Sequence, residues 1–171
     1  MTDFELEKLE ERGLTKRFYE ASWDTWIADT PGRAGAVKKA RQAWEKNLFF
    51  SGRNGTGKTH IAMCLVKEGA TYRTLREIFR EAREDFKRER EVINFYGGRK
   101  LLILDEVGRQ KFSEFETNTL FEIIDQRWNY RKQTLLIGNI RPDELANNLG
   151  TGIMDRLKPL EVVMFDWESM R

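Results

Sequence analysis

The stretch Ser51-Gly52-Arg53-Asn54-Gly55-Thr56-Gly57-Lys58-Thr59 has the residue types and spacing to hold a chain of phosphates. From Gly52 to Thr59 it fits the pattern G-x-x-x-x-G-K-[ST], set between an apolar run, Leu48-Phe49-Phe50, and a helix-like run from Ile61 to Val66. Its glycines let backbone N–H groups close around phosphate, where a β-carbon would obstruct the turn or the ligand. A helix beginning near Lys58 aims its positive dipole end at the same place. Lys58 is expected to reach the β- and γ-phosphates of ATP or GTP, and the Thr59 hydroxyl to take one position on Mg2+. Gly52, Arg53, Asn54, Gly55, Thr56, Gly57 and His60 complete the expected nucleotide-contacting run.

Hydrolysis needs a second, acidic element. Leu101-Leu102-Ile103-Leu104 reads as a buried parallel strand that ends in Asp105-Glu106. Open α/β sheets place ligand chemistry at that carboxyl end. Asp105 is expected to orient Mg2+, and Glu106 to polarise a water for in-line attack on the γ-phosphate. Asn139, just past the strand-like run from Thr134 to Gly138, could position the same water or serve only as a turn former. Arg156 and Arg171 are candidates for stabilising charge on the γ-phosphate, although a lone arginine is more often a surface residue.

Elements that could carry these groups follow from the rest of the chain. The length of 171 residues suits one domain, and a 34% charged, 40% hydrophobic composition suits a soluble globular one. A net charge of +2 argues neither for nor against a nucleic-acid partner. One cysteine, Cys64, in an apolar run excludes a disulfide framework and fits a reducing, cytoplasmic compartment. No apolar run is long enough to span a membrane. Thr2 and Glu5 form a capping box that opens a short helix stopped at Gly13. Residues 1–14 are expected to be a short helix that either packs on the body or serves as a partner-binding arm, with residues 15–171 forming the body. An aromatic connector holding Phe18, Tyr19, Trp23 and Trp26 either walls a nucleotide base or covers the sheet. Helical composition runs from about Ala34 to Lys46. Ser113 with Glu116 opens a further helix, Pro142 and Gly150 bracket a short one, and Leu160 to Phe165 reads as the last strand. The alternation of strands and helices indicates a parallel α/β sheet.

From Arg73 to Glu91 the sequence reads as one long charged helix. On it Arg73, Arg76, Arg80, Arg83, Lys87 and Arg90 keep to a single stripe beside an apolar face that includes Leu75, Ile78, Phe79 and Ala82. Such a stripe is either a solvated face laced with ion pairs or a surface for a phosphate backbone.

Taken together, Gly57-Lys58-Thr59-His60, the strand ending Asp105-Glu106-Val107-Gly108, Gly138-Asn139, Met154-Asp155-Arg156-Leu157 and the closing Phe165-Asp166-Trp167-Glu168-Ser169-Met170-Arg171 resemble an AAA+ ATPase of the DnaC-like helicase-loader group, the IstB/DnaC-like ATP-binding family. The resemblance runs from about Thr15 to the last residue. It implies a P-loop NTPase of AAA+ type, a parallel sheet flanked by helices without a separate C-terminal helical lid. It also implies that Lys58 and Thr59 are Walker A, Asp105 and Glu106 Walker B, and Asn139 sensor 1. Arg156 matches an arginine finger that completes a neighbouring subunit's site, and Arg171 a sensor 2 arginine. By the same resemblance the expected partners are a replicative DNA helicase (DnaB-like), single-stranded DNA and further copies of the chain. The family's DNA-contacting helical insertion falls where the basic stripe lies. An IstB-like ATPase assisting a transposase, or an adaptor that holds nucleotide with little turnover, fits the same core. Two departures stand out. Only about fifteen residues precede the resemblance, where loaders usually carry a helicase-gripping region, and Gly152 stands where the family often has a second arginine.

Overall fold

The apolar runs Leu48–Phe50, Leu101–Leu104 and Leu135–Ile137 offer no polar face to water, so they occupy the middle of a sheet covered on both sides. The computed structural model describes residues 2–84, 86–108 and 111–170. Its elements are α1 (Asp3–Glu11), α2 (Pro31–Ala40), β1 (Asn47–Gly52), α3 (Lys58–Lys67), β2 (Thr71–Thr74), α4 (Leu75–Ala82), α5 (Phe86–Gly98), β3 (Leu101–Val107), α6 (Glu114–Asn129), β4 (Gln133–Gly138), α7 (Pro142–Leu149), α8 (Thr151–Leu157) and β5 (Leu160–Phe165), with short 3-10 turns at Lys16–Phe18 and Arg41–Trp44. The strands are parallel in the order β2-β3-β4-β1-β5.

Alternation along each strand divides the core in two. Leu48, Phe50, Leu101, Ile103, Leu135 and Ile137 face α2, α3 and the aromatic connector, with Leu6 and Leu9 of α1 packed at the margin. Phe49, Leu102, Leu104 and Leu136 face the helices α4 to α8. Each fully buried Phe or Leu contributes roughly 1.5–3 kcal/mol relative to exposure. The result is a three-layer α/β/α fold, and no helix follows β5 among the described residues. None of the described helices is long and apolar enough to cross a membrane.

The capping boxes expected at Thr2–Glu5 and Ser113–Glu116 are both made, and a third joins Thr74 to Glu77. That third box corrects the reading of residues 73–91 as one helix. Thr74 caps α4, the helix stops at Ala82, and Arg83 and Glu84 turn before α5 begins. Arg73 belongs to β2, where its guanidinium donates to the carbonyls of Tyr72 and Glu11, each at 2.8 Å. Arg83 is paired with Glu116 at 2.9 Å. Arg76 and Arg80 remain exposed on α4, and Lys87 and Arg90 on α5, so the basic residues do not form one continuous stripe. The helical period was carried across a cap and a turn that themselves consist of charged and β-branched residues.

One buried cation ties the second core together. Arg127 of α6 is 1% exposed and has no carboxylate on its guanidinium among the described residues. Instead it donates to the Thr134 hydroxyl at 2.9 Å, to the carbonyls of Tyr96 and Arg99 at 2.8 Å each, and to that of Gln133. Carbonyls at the end of α5 thus carry the negative end of a helix dipole to the guanidinium. Burial lowers the Arg127 pKa from its ordinary value. Arg127→Met should cost roughly 3–5 kcal/mol, because several buried acceptors lose their donor, and should lower Tm by about 10 °C. Thermal unfolding followed by circular dichroism measures it.

Candidate nucleotide-binding site

β1 ends at Gly52 and α3 begins at Lys58, which sets the intervening loop at the carboxyl end of a central strand. Chain order reverses around β1, with β4 on one side and β5 on the other, and such switch points open crevices. A cleft of about 890 Å³ lies there. Asn54, Gly55, Gly57, Lys58, Thr59, His60, Asp105, Glu106 and Asn139 all line it, so most of the residues singled out by spacing converge in space. Thr56 is fully buried behind the loop and donates to the Arg53 carbonyl at 2.9 Å. Arg53 itself is exposed at the loop's tip.

Lys58 is buried, and its ammonium donates to the carbonyls of Gly52 and Arg53 at 2.7 and 2.6 Å. Burial lowers its pKa, against the upward pull of the Asp105 carboxylate. On the opposite wall, β3 delivers the two acids. The pairing of β3 with β4 shifts between Leu104 and Val107, and Glu106 takes a left-handed backbone, φ 63°. This irregularity re-aims consecutive side chains at the strand's end, at a backbone cost of about 1–2 kcal/mol for a residue with a β-carbon. Asp105 accepts the Glu106 amide on Oδ1 at 2.6 Å and the Tyr72 hydroxyl on Oδ2 at 2.7 Å, while Thr59 Oγ1 lies 3.5 Å from the same Oδ2. Burial raises the Asp105 pKa and those two hydrogen bonds oppose it. Perturbed groups of opposite charge facing each other in a cleft mark a functional site.

The aromatic connector covers the sheet and also borders the cleft. Trp26 is buried in the first core and also lies against the loop, where a β-carbon on Gly57 would stand 2.3 Å from its ring. Gly57 has φ 91°, so this position suits glycine on two counts. His60 holds the connector in place, its Nε2 3.1 Å from the Ser22 carbonyl and 3.3 Å from the Thr25 hydroxyl. Arg17, Phe18 and Ile27 form the outer wall of the cleft. Trp23 turns away and donates to Glu68 at 2.6 Å. The closing tail straps the loop: Trp167 Nε1 donates to the Thr56 carbonyl at 3.0 Å and Met170 N to that of Gly55 at 2.9 Å.

One predicted arginine stands apart. Arg156 is on α8, outside the cleft, paired with Asp125 of α6 and stacked 4.3 Å from the centre of the Phe121 ring. Arg171 lies outside the described residues. Spacing alone did not reveal Tyr72 or Ile27. Tyr72 could have been found only from the register that sets Thr74 beside Asp105.

The family described as "IstB-like ATP binding protein" matches residues 40–171. The replicative helicase loader DnaC of Escherichia coli (strain K12) is 27% identical over 177 residues, covering 93% of this chain and 72% of that protein. A crystal structure of DnaI superposes with a TM-score of 0.73 at 22% identity, covering 93% of this chain and 95% of that one. A crystal structure of the DnaC helicase loader gives 0.67 at 24% identity, covering 87% and 99%. These structures carry the same AAA+ P-loop fold.

Gly57→Ala should distort the loop against Trp26 and weaken binding of a fluorescent ATP analogue by at least about tenfold, with the far-ultraviolet circular dichroism unchanged.

Proposed function

The chain belongs to the family of IstB-like ATP binding proteins, and from that membership we propose that it is an ATP-hydrolysing helicase loader, an AAA+ switch that helps set a replicative DNA helicase on single-stranded DNA. The observation that carries this reading is the meeting of Asp105 and Glu106 with the Lys58–Thr59 end of the phosphate loop across one cleft. A pocket that merely held nucleotide would need the loop but not the acids.

Thr59 Oγ1 and Asp105 Oδ2 are a hydroxyl and a carboxylate oxygen 3.5 Å apart, the hard donors that Mg2+ takes together with phosphate oxygens and water. They fit the ion and would hold it. Bound there, Mg2+ would neutralise charge on the β- and γ-phosphates. Loop amides and Lys58 cradle the phosphates, and Lys58 exchanges its carbonyl partners in the loop for phosphate oxygens. Glu106 takes a proton from the attacking water, and Asn139, exposed at the end of β4, orients that water. Phe18 and Ile27, apolar residues of the cleft lining, are the side chains assigned to the base.

Arg156 is too far round the domain to serve its own cleft, which favours a role on the nucleotide of a neighbouring copy, with Arg171 acting from the tail. Self-association is therefore part of the proposal. Release of the γ-phosphate then removes contacts that hold one assembly together. Single-stranded DNA contact is assigned to Arg76 and Arg80 on α4 and Lys87 on α5, whose side chains are exposed. Arg73 and Arg83 are engaged within the fold and support those helices rather than a ligand. Helix α1, with Phe4 64% exposed, is the proposed contact arm for the helicase. A second reading, from the resemblance to IstB-like ATPases, is an ATPase that assists a transposase.

One reagent tests both partner readings. Glu106→Gln should retain ATP while hydrolysis falls at least about 100-fold. Held with ATP, that variant should capture a DnaB-like helicase and release it when ADP replaces ATP. Capture of a transposase instead would favour the second reading, and normal hydrolysis would remove Glu106 from the site.

A further inference from the structure

The Asp105 carboxylate is held by two donors on two different oxygens. One, the Glu106 amide, belongs to its own strand. The other is the Tyr72 hydroxyl, which reaches across from the edge strand β2 to Oδ2 at 2.7 Å. A carboxylate gripped on both oxygens cannot rotate about its terminal bond, so the lone pair of Oδ2 that faces Thr59 stays aimed at the cation position. Groups behind a metal ligand typically set affinity by 10–100-fold when they fix orientation in this way.

Tyr72 is itself fixed from the far side. Its amide donates to the Arg12 carbonyl at 2.7 Å, just past the end of α1. Next along β2, Arg73 donates to the carbonyls of Glu11 and Tyr72. Gly13, with φ 104°, lets the two backbones approach so closely that a β-carbon there would stand 2.2 Å from the Tyr72 carbonyl oxygen. The seat of α1 on β2 and the grip on Asp105 therefore share one residue, whose backbone serves the first and whose hydroxyl serves the second.

Resting on the nucleotide-site reading above, we propose that Tyr72 is a positioning residue for the cation held by Asp105, and that the seat of α1 on β2 governs how firmly it acts. A partner that grips α1 gains by this route a lever on the Mg2+ site, without touching nucleotide. Burial and the neighbouring Asp105 charge push the Tyr72 phenol far above its ordinary pKa, so it is a hydroxyl donor throughout the physiological range.

The test is Mg2+-dependent binding of a slowly hydrolysed fluorescent ATP analogue to the full chain, titrating Mg2+ alone from a chelated start. Tyr72→Phe keeps the ring and removes only the hydroxyl. It should raise the half-saturating Mg2+ concentration about tenfold and leave Mg2+-free nucleotide affinity within about twofold. Gly13→Ala, which is outside the cleft lining, should move the same midpoint in the same direction. An unchanged or lowered midpoint in Tyr72→Phe overturns the positioning role. A shift there with none in Gly13→Ala overturns the link to α1 alone. If the wild-type chain binds the analogue with no response to Mg2+, the cation site and with it this inference fail while the nucleotide site stands; if it does not bind the analogue at all, the nucleotide-site reading itself fails.

Discussion

Everything at the site depends on how the phosphate loop is held. The Gly55 and Thr56 carbonyls are taken by Met170 N and Trp167 Nε1 of the closing tail. Carbonyl and N–H of a trans peptide point in opposite directions, so the amides of Thr56 and Gly57 face away from the tail, toward the place for phosphate. Trp26 fills the space that a side chain at Gly57 would need. The loop is thereby shaped before any ligand arrives, by residues more than a hundred positions away in the chain on one side and about thirty away on the other. An anion site pre-formed in this way spends little binding energy on ordering itself.

The opposite wall is built by a different device. β3 is an ordinary buried strand as far as Leu104, and then departs from its register with β4 so that Asp105 and Glu106 are re-aimed. The strained backbone of Glu106 persists because its neighbours determine it: Val107 is buried in the second core, and Gly108, φ 83°, packs where a β-carbon would meet Ile140. Strain of this kind gathers at functional sites. Here it turns two adjacent acids into one cleft: Asp105, gripped by Tyr72 and the Glu106 amide, and Glu106 one residue on.

Much of this could be read in the chain, and the remainder could not for identifiable reasons. The phosphate loop, the acid pair and Asn139 were legible because each follows a short apolar run, and strands of a parallel sheet end on one edge. Leu160 to Phe165 and the helix between Pro142 and Gly150 were legible because proline, glycine and burial leave strong local marks. The interval from Arg73 to Glu91 misled because its charge period runs on through Thr74 and Arg83, where the fold instead places a cap and a turn. Tyr72 stayed hidden because its partner depends on cross-strand register, which no local pattern records. The positions of Trp26 and Trp167 over the loop likewise follow only from the packing of distant segments.

Arg156 gives the account its most exposed claim. It lies outside its own cleft, held by Asp125 and stacked on Phe121, so its charge serves hydrolysis only if a second copy brings its nucleotide to that face. The direct measurement is ATP hydrolysis by a mixture of Arg156→Ala and Glu106→Gln proteins, each inactive alone, followed as their ratio is varied at fixed total concentration. Sites that join the intact Glu106 of one variant to the intact Arg156 of the other should restore activity, with a maximum at intermediate ratios. A mixture no more active than the sum of its parts at every ratio would contradict the account.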